Sequence, residues 1–441
     1  MRRSLFALAA VVVGLLAAPA GAVEIEEVVT PLGIKAWLVQ DRTAPLVALS
    51  FSFVGGTASE PESRRGVTSV MASLLTDGAA TLPAQAFRLR QEEAAASLGF
   101  GASADRLAGS LQVLTASRDR GLELLRLGLT APRFDQAMVD QRVAQAIAGL
   151  KQAEQRPRAV AERTMMASMF AGHPYGRGFE HLSETLKTLT PTDFKERAAA
   201  LLRRDGLIVG AVGDIDAADL SRALDHAFGD LPLGMPGATG PAVPDWVPTG
   251  GSRTIVVDRP VPQSAVVMAM PGILRRDPDW YAASVLSHIL GGGQQSRLFN
   301  EVREKRGLAY NVSSDLRVSE KGSLLVISTG SANERVAEAI QVIRGEIARL
   351  RDNGITEQEL ADAKTYLTGA LALSLDSSGA VASLLRGLQT DHLPRDFLDH
   401  RAELIGAVTA ADVNRVARRL LRDDAMTTVV VGKPVGLVSD R

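Results

Sequence analysis

Residues 291–314 read GGGQQSRLFNEVREKRGLAYNVSS. Three glycines lead into a charged helical stretch, and Gly307 ends it at a position suited to the left-handed conformation that closes a helix. An alternating strand follows. Arg303 therefore falls in the last helical turn and Tyr310, seven positions on, at the start of the strand. From there both side chains can face one cleft. A guanidinium and a phenol are both hydrogen-bond donors. Taken alone, an Arg at a helix C-terminus only complements the dipole, and a Tyr at a strand start is ordinarily packing. Gly291, Gly292 and Gly293 lack the Walker or Rossmann context of a phosphate loop. They are read as a tight turn allowing close backbone approach beside the cleft. Arg297 and Glu301, four apart, are read as structural, paired with each other or with a neighbouring chain.

Working outward, the chain repeats itself. Thr190-Pro-Thr-Asp193 precedes a helix ending at Leu201 and Leu202 and then a strand ending at Gly213. Thr409-Ala-Ala-Asp412 precedes a helix ending at Leu420 and Leu421 and then a strand ending at Gly432. Each landmark is displaced by 219 positions, and each Thr with its acid three residues later forms a capping-box signal. Residues 98–105, LGFGASAD, parallel 308–315, LAYNVSSD. In each half a strand and a helix follow, the helices over 117–130 and 332–352. Residues 231–251 carry Pro232, Pro236, Pro241, Pro244 and Pro248 among glycines, a breaker density that defines a linker. Strands are expected over 23–29, 34–39 and 46–54, and helices over 68–75, 84–97 and 135–152. The fold class is α+β, two related domains over 23–230 and 252–441, each a largely antiparallel sheet covered by helices.

The first 22 residues have Arg2 and Arg3, a short apolar run and Ala20-Gly21-Ala22, the form of a secretory signal peptide cleaved near Ala22. The run is too short to span a membrane, and no cysteine follows to carry a lipid, so no membrane anchor is expected. The chain is expected to be exported to the periplasm. It contains no cysteine at all, so its core must hold it without disulfides. Without Arg2 and Arg3, 47 basic residues face 50 acidic ones, which gives no reason to expect a nucleic-acid partner.

The run GGGxxSRLFxEVREKRGLAYxVSS, the duplicated halves and the proline-rich linker together resemble the pitrilysin/insulinase (inverzincin) metallopeptidase family. The subunits of mitochondrial processing peptidase have similar halves. His173-Pro174-Tyr175-Gly176 and Pro262-Gln263-Ser264 add to the likeness, which covers essentially the whole chain after the leader. The resemblance implies a zinc helix with H-x-x-E-H in the first half, two His on adjacent turns holding the metal and the Glu serving as general base. It implies a further glutamate ligand about seventy residues on. It also gives Arg303 and Tyr310 the role of holding and polarising substrate.

At the motif positions, however, stand Ser69, Ala72 and Ser73, within Ser69-Val70-Met71-Ala72-Ser73. The stretch 141–153, where the distal glutamate belongs, has neither Asp nor Glu. Neutral hydroxyls bind zinc poorly beside His or carboxylate. No metal is therefore expected in this chain, and no peptidase activity from it alone. His173 is expected to cap or pack a turn, and His392 and His400 to be surface residues. The resemblance implies a substrate-binding subunit that supplies Arg303 and Tyr310 to the active site of an exported zinc-bearing partner with H-x-x-E-H, acting on a peptide substrate. The alternative is a structural or peptide-binding subunit with no proteolytic role.

Overall fold

The computed structural model describes residues 24–234, 242–249 and 251–440. The expected signal peptide, residues 1–22, lies outside them. In the first half, β1 (Glu26–Val29), β2 (Lys35–Gln40) and β3 (Leu46–Val54) precede a small ribbon, β4 (Gly78–Ala79) with β5 (Leu82–Pro83). The hairpin β6 (Ser97–Ala102) and β7 (Arg106–Leu114) follows, and β8 (Ile208–Gly213) closes a six-stranded sheet of order β1-β2-β8-β3-β7-β6. The second half supplies β9 (Arg253–Asp258), β10 (Gln263–Pro271), β11 (Ala309–Ser319), β12 (Gly322–Ala332) and β13 (Thr427–Gly432), in the order β11-β12-β10-β13-β9. The expected strands and helices of the first half are present within a few residues. The exception is the helix expected over 84–97, which ends at Glu93. Ala95 turns the chain at φ 48°, and Ser97 already begins β6.

The duplication is visible in the topology. Read from opposite ends, the two sheets share one order, with β2 and β9 each running parallel to the strand that closes its sheet. All other pairs within them are antiparallel. Both capping boxes form, at Thr190 with Asp193 and at Thr409 with Asp412. One expected correspondence needs correction. Ala211, Leu49, Leu111 and Leu98 lie side by side across the first sheet. Their counterparts across the second are Val430, Val266, Thr329 and Val312. Leu98 thus corresponds to Val312, four residues beyond Leu308. The second hairpin is the longer one, with more chain between the paired Val312 and Thr329 than between Leu98 and Leu111, and a bulge between Ala309 and Val312 adds one residue to β11.

Each sheet is covered on both faces, and one cover comes from the other half. On β3, Val47, Leu49, Phe51 and Phe53 point into a core built with helices Val67–Leu74, Arg118–Thr130, Pro191–Leu201 and Ala217–Phe228 of the same half. The alternate residue Ala48, with Trp37 and Val212, meets Ala382, Leu385 and Leu388 of helix Ser378–Thr390 from the second half. Reciprocally, Ala161, Met165 and Met169 of helix Pro157–Met169 lie on Val267, Ala269, Val429 and Val431 of the second sheet. This exchange explains why β3 and β13 are buried along nearly their whole length, as period-two strands are when both faces are dry. Gly210 is required where the foreign helix crosses, because a Cβ there would overlap the Ala382 carbonyl oxygen.

Leu385 is fully buried in this contact. Leu385→Ala is therefore expected to cost about 2–4 kcal/mol in urea unfolding, through lost burial and the cavity left behind. Because the contact joins the halves, one transition should shift as a whole. A loss under about 1 kcal/mol would show that the first sheet does not depend on this cover.

Within the expected linker, residues 242–249 form no regular element, as the proline density requires. They are nevertheless docked. The Trp246 ring lies 4.5 Å from that of Phe170, and its amide donates to the Lys321 carbonyl at 2.7 Å.

Candidate functional site

The stretch that opens the sequence reading joins helix Trp280–Gly291 to β11. Gly291 is the helix's last residue and is buried. A Cβ there would stand 2.5 Å from the Ser314 amide nitrogen, so the absence of a side chain lets helix and strand touch. Gly291 is thus a packing residue. Gly292 and Gly293 line a cleft of about 480 Å³ with His288, Gln294, Glu359 and Tyr366, and neither Arg303 nor Tyr310 lines it. Within it, His288 stacks on Tyr366 at 4.4 Å, and burial lowers the imidazole's pKa. Arg297 and Glu301 do not pair with each other. Arg297 forks onto Glu359 at 2.6 and 2.7 Å. Glu301 takes Lys305 at 2.5 Å together with Arg306, and these hydrogen bonds hold its carboxyl down at about 2.

Arg303 sits in a π-helix, Phe299–Glu304, closed by the Lys305 amide bonding to the Asn300 carbonyl at 2.9 Å. Such wide turns are rare and concentrate at functional sites. Gly307 ends it at φ 57°, and its carbonyl and that of Arg306 are both held by Arg335, at 3.0 and 2.8 Å. The turn is therefore firmly fixed. Lys305 and Arg306 are occupied by Glu301, and Arg335 by carbonyls. Arg303 remains, with Glu304 3.6 Å from its Nε and no hydrogen bond from its guanidinium among the described residues. Its Cζ lies 4.8 Å from the Phe299 ring centroid and 4.7 Å from that of Tyr310. Arg303 and Tyr310, paired in the sequence reading, are thus stacked together in space. Phe299, which completes the stack, was not anticipated, although its spacing of four from Arg303 was a usable signal.

Tyr310 is 83% exposed, and its hydroxyl has no partner among the described residues. It projects from β11, an edge strand of the second sheet. A rigid cation beneath an open phenol can present two donors to a carbonyl oxygen arriving from outside.

The helix matching the zinc motif is present as Val67–Leu74, but its chemistry does not fit a metal. Ser69 is exposed, Ala72 lies in the core, and Ser73 spends its hydroxyl on the Val70 carbonyl at 2.7 Å. On the facing helix Gln136–Gln155, Arg142 forks onto buried Asp77 at 2.5 and 2.8 Å, which fixes the two helices by charge. Among the described residues no group of three or more His, Cys, Asp or Glu is placed to hold a metal ion. Nor is any described helix long and apolar enough to cross a membrane. His173 caps a turn as expected: its Nδ1 accepts from the Tyr175 amide at 3.2 Å, and its Nε2 lies 2.8 Å from the Pro244 carbonyl. His392 and His400 are exposed.

The profile of the insulinase family (peptidase family M16) matches residues 35–181, and that of the peptidase M16 inactive domain matches 188–367. An uncharacterized zinc protease of Streptomyces coelicolor is 30% identical over 262 residues, 58% of this chain and 56% of that one. At that level of identity the match spans little more than half the length of the relative. A non-peptidase homolog of Helicobacter pylori is 24% identical over 332 residues, 75% of this chain and 76% of that one. Among solved structures, a peptidase M16 inactive domain from Pseudomonas fluorescens superposes with a TM-score of 0.86 at 25% identity, covering 95% of this chain and 99% of that one. A chain of complex III from Candida albicans shares the fold, with a TM-score of 0.75 at 18% identity, over 93% of this chain and 96% of that one. The chain belongs to the insulinase family of metallopeptidases and their homologues, peptidase family M16.

Proposed function

We propose that this chain is the substrate-binding subunit of a two-chain zinc peptidase and that it lends Arg303 and Tyr310 to a partner's active site. The observation that carries the proposal is the Arg303–Tyr310 stack, whose phenol is open to solvent and whose guanidinium makes no hydrogen bond among the described residues, in a chain whose helix Val67–Leu74 carries no metal ligands. The partner is an exported relative with H-x-x-E-H, and it supplies the hydrolytic metal. In this reading the chain itself is exported to the periplasm after cleavage near Ala22. An extended peptide would lie along the edge strand β11, its backbone completing the unpaired ladder while Arg303 and Tyr310 take the scissile carbonyl. A second reading, a peptide-holding or structural subunit without proteolysis, draws support from the Helicobacter pylori relative described as a non-peptidase homolog.

The test is to assay the purified chain alone and mixed with such a relative, measuring zinc per chain in both. Activity from the mixture, with zinc on the relative alone, is the expected result. Zinc-dependent hydrolysis by this chain alone would sink the proposal, and a stable but inactive mixture would favour the second reading.

A further inference from the structure

Away from that stack, the two halves enclose a cleft of about 730 Å³. Five fixed cations, Arg106, Arg275, Arg276, Lys321 and Arg386, line it against three carboxylates, Asp105, Glu320 and Asp391. Each carboxylate is already engaged within the chain. Asp105 accepts from the Tyr175 hydroxyl and, at 3.1 Å, from the Glu320 amide. Glu320 takes Arg106 Nε at 2.6 Å, and Asp391 lies 3.7 Å from Arg275. Lys321 reaches out to Asp245 at 3.1 Å. These contacts leave the charge of Arg386 without a carboxylate and one donor of the ion-paired Arg106 unmet. Arg386, on the helix that crosses from the second half, bonds through Nε to Ser50 Oγ at 3.0 Å and has no carboxylate among the described residues. Arg106 keeps its Nη1 buried with no hydrogen-bond partner.

An uncompensated cation taken out of water is unfavourable, and here two guanidinium groups meet in one cleft. Burial and the nearby charge of Arg106 both lower the pKa of Arg386. Arg forks suit planar or tetrahedral oxyanions. We propose that the cleft between the halves is a binding site for an anionic oxygen group, carboxylate or phosphate, held by Arg386 and Arg106. The two sources of that chemistry are a free oxyanion and the C-terminal carboxylate of a peptide.

Titration calorimetry on the full chain tests this with two probes, inorganic phosphate and a short peptide with a free C-terminal carboxylate, the latter compared with its amide. Saturable binding of either probe is expected, weakened by salt and reduced roughly tenfold or more by Arg386→Gln. Phosphate alone would identify a free oxyanion; the acid peptide without its amide would identify a chain terminus. Without ligand, Arg386→Gln should melt no lower than the wild type, because the residue it removes is an uncompensated cation. Should that variant not fold, Arg106→Gln carries the same binding test. Absence of binding by both probes, binding unchanged in the variants, or an unliganded melting point well below wild type in a folded Arg386→Gln would each overturn the proposal.

Discussion

In the assembly with a zinc-bearing relative, Arg303→Ala should lower peptide turnover by about a hundredfold or more, the usual loss when a preorganised donor to a developing oxyanion is removed. Tyr310→Phe keeps the ring over the guanidinium and removes the hydroxyl alone. Its effect should be smaller, about tenfold, and should also fall on turnover. The fold will not report these changes. Tyr310 is largely solvent-exposed, and truncating Arg303 forfeits a cation–π stack worth about 0.5–1 kcal/mol. Assembly is followed by size-exclusion chromatography and turnover at saturating peptide. Wild-type turnover in both variants, with assembly intact, would return the stack to surface packing. The fixed setting makes the prediction sharp. Arg335 holds the carbonyls of Arg306 and Gly307, and Glu301 absorbs Lys305 and Arg306. Neighbouring cations therefore cannot readily take over the role of Arg303.

What was legible in the sequence was chiefly local. Capping boxes at Thr190 and Thr409 depend on residues three apart, so the repeat of 219 positions was readable before any tertiary contact. Gly307 announced its own turn, and that turn set Arg303 and Tyr310 side by side. Features closed over long separations were not readable. The Leu98–Leu308 correspondence was four residues out of register because pairing register is decided by the neighbouring strand and by hairpin length. The exchange of covering helices was equally hidden. Leu385 shows an apolar helical face, and nothing in that pattern says which sheet it meets. The π-helix carries the same residues an α-helix would. Arg106 and Arg386, 280 positions apart, became neighbours in one cleft through folding alone.

The helix that no longer holds a metal must be held by something else, and Glu60→Ala should show by what. Helix Val67–Leu74 starts at Gly66, which has no side chain to cap it. Buried Glu60 takes over, one carboxylate oxygen accepting from the Gly66 amide and the other from the Thr68 amide, both at 2.7 Å. Its charge complements the helix N-terminus and faces buried Arg197, which reaches Thr68 Oγ1 at 2.9 Å and the Gly56 carbonyl at 2.8 Å. Removing the carboxylate strands two amide donors and takes away an anion compensating Arg197. A loss of about 3–5 kcal/mol in urea unfolding is expected, as for breaking a buried charged network from one side. Glu60→Gln keeps one acceptor and should lose less. The order wild type, Gln, Ala distinguishes this from simple cavity formation, in which the near-isosteric Gln would match wild type. At its far end the helix meets Asp77, fixed by Arg142 from the facing helix. Between them, Glu60 and the Asp77–Arg142 pair anchor both ends of the helix. If Glu60→Ala unfolds within about 1 kcal/mol of wild type, the helix start is held by packing, and the carboxylate is dispensable.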